Sequence, residues 1–151
     1  LYGISKNELL FKSLVFKGGT VLKKIYFEDY RFSEDLDFTL IDEKITNEEL
    51  LKEFEKIYAF AKQEANISLK FKEHDEHESG SLVFYVNYVG PLQANIDSRD
   101  IKIDITRGEI LEFEIETRPL IITYSDLPPD SFFLQCYSLS EVLVEKMAAL
   151  M

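Results

Sequence analysis

The sequence predicts an α+β domain, a mixed/antiparallel sheet flanked by helices, and three observations carry that class. Apolar residues recur with a helical period near the start, in the middle and at the end of the chain, and short runs with a period of two lie between. A Gly18-Gly19 pair joins a short apolar run to a helical one. Asp35-Leu36-Asp37-Phe38 then alternates polar and apolar residues as a strand does.

The elements follow in order. Ser5 to Leu14 carries a helical pattern, with Ser5 as a plausible N-cap. Val15 and Phe16 lead into the glycines as a short buried strand. Thr20 to Phe27 reads as a helix opened by the glycine turn, whose free N–H groups would offer an anion site beside Gly18 and Gly19. Asp35 to Ile41 reads as a strand that projects Asp35 and Asp37 to one side and turns Leu36 and Phe38 into a core. Thr46-Asn-Glu-Glu49 has the pattern of a capping box, and the helix after it, to about Glu64, lines up Leu50, Phe54, Ile57, Tyr58 and Ala61. Ile67 to Phe71, Ser81 to Val89, Ala94 to Thr106 and Ile110 to Glu116 read as strands, with turns at Gly90-Pro91 and Arg107-Gly108. After the break at Pro128-Pro129, a second capping box, Ser138-Leu-Ser-Glu141, opens a helix with Leu143, Met147 and Leu150 on one side. The chain stops inside that helix, so residues 1–151 are expected to be one domain of a longer protein.

The bulk numbers bound the function. With 151 residues, 46% hydrophobic and 30% charged, the chain suits one globular domain, and no apolar run is long enough for a membrane span. No signal peptide is visible, although the chain begins at Leu1. Cys136, the single cysteine, lies among apolar residues and reads as a buried structural thiol in a reducing cytoplasm. The net charge of −11 is uneven: residues 1–70 contribute −2 and residues 71–151 contribute −9. An acidic surface of this kind disfavours strong non-specific nucleic-acid binding. A local basic groove is still open in the first half, where Lys12, Lys17, Lys23, Lys24 and Arg31 surround the glycines. Ordinary surface solubility is the other reading of most of these lysines.

The chemistry concentrates around the glycines. Two adjacent carboxylates repel and raise one another's pKa, and a hard divalent cation is the usual remedy. A phosphate-cradling turn beside such a pair reads as nucleotide chemistry. Lys17 and Arg31 would hold phosphate, or Arg31 would pair with Asp35 or Glu34. Thr20 and Ser33 would donate hydroxyls to phosphate, or serve as cap and turn residues. Asp104, on a strand face shared with Lys102 and Thr106, is the best candidate for a third carboxylate, with Asp97 behind it and a plain exposed face as the alternative. Lys146 by itself reads as a snorkelling lysine. His74 and His77 sit in an acidic run that reads as a solvated turn rather than a metal site. There is no P-loop motif and no recognisable Ser or Cys nucleophile elbow.

Val15-Phe-Lys-Gly-Gly-Thr-Val-Leu22 followed by Arg31-Phe-Ser-Glu-Asp-Leu-Asp-Phe38 closely resembles the first motif of the AbiEii/AbiGii toxin family, within the DNA polymerase beta-like nucleotidyltransferase superfamily. The Ile-Lys-Ile-Asp-Ile strand and the Val144-Glu-Lys146 helix also look like family features, and the resemblance runs from about Leu14 to the end. It implies a polymerase beta-like fold and metal-dependent transfer of NMP from an NTP to an acceptor hydroxyl, in RNA or at a tRNA 3′ end. The setting it implies is a toxin-antitoxin or abortive-infection system with a cognate antitoxin. It implies Asp35, Asp37 and Asp104 as ligands of Mg²⁺ or Mn²⁺, and Lys146 as a functional lysine. Lys17, Gly18, Gly19, Thr20, Arg31 and Ser33 would bind the nucleotide. Two departures stand out: the helix before Val15 is shorter than is usual in the family, and the family's Arg-Asp-x-x-Asp-like run does not occur before Met151. Rival readings are a protein nucleotidyltransferase, a catalytically silent nucleotide-binding or interaction module, and a glycosyltransferase with an Asp-x-Asp motif.

Overall fold

The computed structural model describes residues 1–26, 35–89, 99–121 and 132–150. Helices α1 (Tyr2–Lys6) and α2 (Glu8–Ser13) lead into strand β1 (Leu14–Lys17). The glycine turn opens a single helical turn, α3 (Gly19–Val21), which runs into a π-helical turn over Leu22–Tyr26. Then come β2 (Leu36–Leu40), the long helix α4 (Asn47–Ala65), β3 (Ser68–Glu76), β4 (Leu82–Val89) and β5 (Arg99–Arg107). Short strands β6 (Glu116–Pro119) and β7 (Phe133–Cys136) precede the last helix, α5 (Leu139–Leu150). Among the described residues seven strands form one sheet in the order β3-β4-β5-β2-β1-β7-β6. β2 pairs parallel with β5, as β1 does with β7, and the other pairings are antiparallel. The α+β class with a mixed, mostly antiparallel sheet is therefore the observed one.

Strand alternation sorts the sheet into two faces. Phe16, Phe38, Ile105 and Leu82 lie opposite one another on successive strands, and so do Leu36, Ile103 and Phe84. With Leu36 half-buried against them, the others belong to one buried cluster with Leu50 and Phe54 of α4, whose ring meets Phe84 edge-on at 4.9 Å. Full burial of each such side chain contributes about 1.5–3 kcal/mol, which makes this face the main source of cohesion. The other face carries Lys17, Asp37 and Asp104 in register, with Val15, Thr39 and Thr106 one rung along.

The capping box of α4 forms as its sequence predicts: Thr46 accepts from the Glu49 amide, and Glu49 accepts from the Thr46 amide. Several expectations are corrected. The first helix is two helices, because Asn7 accepts a hydrogen bond from the Leu10 amide and starts α2. Ser5 sits inside α1 with its hydroxyl on the Tyr2 carbonyl, so it is not the N-cap, and Leu14 belongs to β1. The expected helix Thr20 to Phe27 is α3 plus the π turn, and Phe27 lies outside the described residues. β3 extends through His74 to Glu76, pairing with β4, so the His74 end of the acidic run is edge strand rather than turn. Its charged, exposed side chains suit a strand that stands at the sheet edge among the described residues. Residues 110–115 are not a strand: Leu111 and Ile115 pack on the core as loop anchors, while the Glu112 and Phe113 amides donate to the Glu141 carboxylate. That use of Glu141 leaves half a capping box at α5, with Ser138 Oγ accepting from the Glu141 amide. Leu143, Met147 and Leu150 do share α5, and all three are exposed. The turn and break residues Gly90, Pro91, Pro128 and Pro129 lie outside the described residues.

Candidate active site

The site grows from three neighbouring strands. Lys17 ends β1, Asp37 is the second residue of β2, and Asp104 is in the middle of β5. Lys17 lies opposite Asp37, and Asp37 opposite Asp104, so the three side chains share one rung of the polar face. Asp35 stands just before β2, close enough for its charge to bear on Asp37. The glycine turn meets this row directly. Gly18 adopts φ +81°, and a Cβ there would lie 2.5 Å from Asp37 Oδ2. Only glycine gives both the left-handed backbone and the room for that carboxylate. Thr20 is buried and its hydroxyl donates to the Asp35 carbonyl, which ties the glycine turn to the start of β2.

Electrostatics follow from this packing. Burial raises the Asp37 pKa above its ordinary value, and the Asp104 carboxylate and, more weakly, Asp35 add to it; Lys17 and Lys102 oppose the rise. Lys17 is 5% exposed, and its ammonium donates to Glu109 Oε1 at 2.5 Å and to Thr106 Oγ1 at 2.6 Å. The Glu109 Oε2 accepts from Thr39 Oγ1 at 2.8 Å and from the Tyr137 hydroxyl. Burial by itself would raise Glu109, but the hydrogen bonds from Lys17, Tyr137 and Thr39 and the lysine charge prevail and hold it at about 2. From α5, Glu145 comes within 4.0 Å of the Lys17 ammonium. Burial raises its pKa; Lys17 opposes the rise, and Glu109 and Asp37 add to it.

The fold thus brings Gly18, Lys17, Asp37 and Asp104 together, with Asp35 and Thr20 at the edge. Lys146 is half-buried on α5 and, among the described residues, makes no ion pair; its neighbour Glu145 is the one beside Lys17. Arg31, Ser33 and Asp97 lie outside the described residues. Four residues escape the sequence reading: Thr39, Glu109, Tyr137 and Glu145. Thr39 was within reach, since it lies two positions beyond Asp37 on the same strand face. Glu109 follows a glycine that reads only as a turn, and nothing in the sequence ties it to Lys17. Cys136 is fully buried, and burial pushes its thiol up to about 11, as an unreactive structural cysteine requires.

A divalent cation fits this donor set in a particular way. Among the described residues no group of three His, Cys, Asp or Glu forms a ready cage. Two neighbouring carboxylates, one of them driven toward protonation, are nevertheless what a small hard cation takes when the remaining oxygens come from phosphates and water. No helix of the described residues is long and apolar enough to cross a membrane.

Residues 1–151 match a family model described as "Nucleotidyl transferase AbiEii toxin, Type IV TA system". The fold is similar to the crystal structure of JHP933 from Helicobacter pylori, with a TM-score of 0.63 and 21% identity over 98% of this chain and 53% of that one. It is also similar to a crystal structure from H. pylori described as a "putative nucleotidyltransferase", with a TM-score of 0.61 and 20% identity over 97% of this chain and 54% of that one. The chain therefore spans about half the length of these solved structures. No curated protein matches it in sequence.

Proposed function

The chain belongs to the AbiEii family of nucleotidyl transferase toxins of type IV toxin-antitoxin systems, and from that premise we propose that it transfers NMP from an NTP to an acceptor hydroxyl of RNA, at a tRNA 3′ end, as a cytoplasmic toxin with a cognate antitoxin. The observation that carries the proposal is the register of Asp37 and Asp104 on adjacent parallel strands, with Gly18 packed against Asp37.

Asp37 and Asp104, with Asp35, would hold Mg²⁺ or Mn²⁺. When bound, the cation supplies charge that offsets the negative charge developing on the phosphates. The protein's own groups do the rest. Backbone N–H groups of the Gly18–Thr20 turn orient the triphosphate, with Arg31 and Ser33 as further phosphate ligands and Lys146 as a positive charge from α5. Asp104 accepts the proton of the acceptor hydroxyl. That oxygen forms a bond to the α-phosphorus, the α–β phosphoanhydride bond breaks, and pyrophosphate leaves.

The test is incubation of the full-length protein with each labelled NTP, Mg²⁺ and total tRNA, beside Asp37→Ala and Asp104→Ala. Label on tRNA that is lost in both variants is the expected result. Label on protein alone replaces the RNA acceptor with a protein one, a reading favoured by the −9 charge of residues 71–151. NTP binding without transfer to either acceptor overturns the assignment in favour of a binding module.

A further inference from the structure

The lysine beside the glycine turn already has partners. Lys17 donates to Glu109 and Thr106, Thr39 and Tyr137 hold the far oxygen of Glu109, and Glu145 of α5 stands 4.0 Å from the same ammonium. The hydrogen-bonded groups come from β1, β2, β5, the loop after β5 and the residue that follows β7, so five parts of the chain converge on one ion pair. A lysine drawn out to a triphosphate would have to give up both the Glu109 and the Thr106 contacts that hold its buried ammonium. At the same time Lys17 lies directly opposite Asp37 in the sheet.

We infer that Glu109 is a positioning residue that clamps Lys17 as a fixed counter-charge beside Asp37 and Asp104, so that the lysine sets how tightly this pair holds a divalent cation and does not contact the nucleotide. The inference rests on the reading of Asp37 and Asp104 as cation ligands. Its logic is one of sign. The ammonium of Lys17 repels an incoming dication and eases the repulsion between the two carboxylates before it arrives. Glu109 cancels part of that field. Removing either partner therefore shifts cation affinity in opposite directions, and removing both restores it.

The test is calorimetric titration of Mn²⁺ alone into the full-length protein and its variants, each checked for folding by thermal melting. Lys17→Met is expected to bind Mn²⁺ about threefold or more tightly, Glu109→Gln about threefold or more weakly, and the double variant within about twofold of the parent. Affinity for each of the four NTPs in Lys17→Met is expected to stay within about twofold. Unchanged Mn²⁺ affinity in Lys17→Met, or shifts of the same sign in the two single variants, overturns the inference. So does a tenfold or greater loss of NTP affinity in Lys17→Met, on the order expected for a lost phosphate contact. If Lys17→Met does not fold, Lys17→Arg keeps the charge and must retain the parent affinity while Glu109→Gln loses it; equal affinities in those two overturn the inference. Mn²⁺ affinity that survives Asp37→Asn unchanged removes the cation site itself, a failure distinct from the others.

Discussion

On one face of the sheet Phe16, Phe38, Ile105 and Leu82 meet across four strands. On the other, one residue along, Lys17, Asp37 and Asp104 cross three of the same strands. The backbone is common to both rows, so what separates them is side-chain chemistry alone. The apolar row coheres wherever its members meet, because burial is non-directional. The charged row coheres only through particular partners: Glu109 from a loop for Lys17, with Thr39 and Tyr137 holding Glu109. The first face makes the domain stable. The second leaves Asp37 pushed toward protonation, a local cost that stability alone would not retain.

The largest effect should come from the charged row. Asp37→Asn or Asp104→Asn is expected to reduce nucleotidyl transfer by about a thousandfold or more, equivalent to about 4 kcal/mol of transition-state stabilisation. The same substitutions should leave the melting temperature unchanged or raise it slightly, because they relieve repulsion between neighbouring carboxylates. Transfer assays paired with thermal melting read both quantities. Asp37→Asn that melted well below the parent would make Asp37 a structural residue and erase the contrast between the faces.

The apolar row should behave in the reverse manner. Phe84→Ala removes a fully buried ring packed on Phe54 and is expected to cost about 3–5 kcal/mol in urea denaturation. Transfer activity per folded molecule should change little. A loss of turnover in folded Phe84→Ala protein would show that the two faces are mechanically coupled.

The two faces also differed in how far the sequence disclosed them. Period-two alternation was enough for Phe38, Ile103 and Ile105, and the capping box at Thr46 announced α4, because both signals are local. The glycine pair and Asp-x-Asp announced Asp37, and the alternation of Ile101 to Thr106 announced which side Asp104 takes. What local pattern could not supply was pairing. That β5 lies parallel to β2, which puts Asp104 opposite Asp37, depends on sheet order. Glu109 and Tyr137 lie 92 and 120 residues beyond Lys17, and only the closed fold brings them together. Residues 110–115 misled in the opposite way, since their alternation anchors a loop over the core and does not form a ladder.

Acid unfolding gives a smaller and signed contrast. Glu109 is held at about 2, below its ordinary 4.5, so the unfolded chain binds the extra proton between those values. Its contribution is fully present above about pH 4.5 and is lost as pH falls toward 2. Asp37 runs the other way in metal-free buffer: its raised pKa means that the folded chain binds the proton first, so its contribution weakens as pH rises through that value. Glu109→Gln should therefore lower stability at neutral pH and flatten the acid limb. Urea midpoints measured from pH 2 to 7 read this directly, and an unchanged acid limb would remove Glu109 from the electrostatic account.

The smallest effect tests a part of the molecule that serves neither face directly. Thr46→Ala removes the hydroxyl that accepts from the Glu49 amide at the exposed start of α4. The lost cap should cost about 1 kcal/mol, because one orphan amide of the first helical turn goes back to water. The site should not notice, since α4 packs its Leu50 and Phe54 on the apolar side of the sheet. Denaturation and transfer assays on this one variant therefore bound how far a local loss of stability spreads. A folded Thr46→Ala protein with impaired transfer would mean that α4 positions the charged row through the sheet, and the separation of cohesion from chemistry would have to be redrawn.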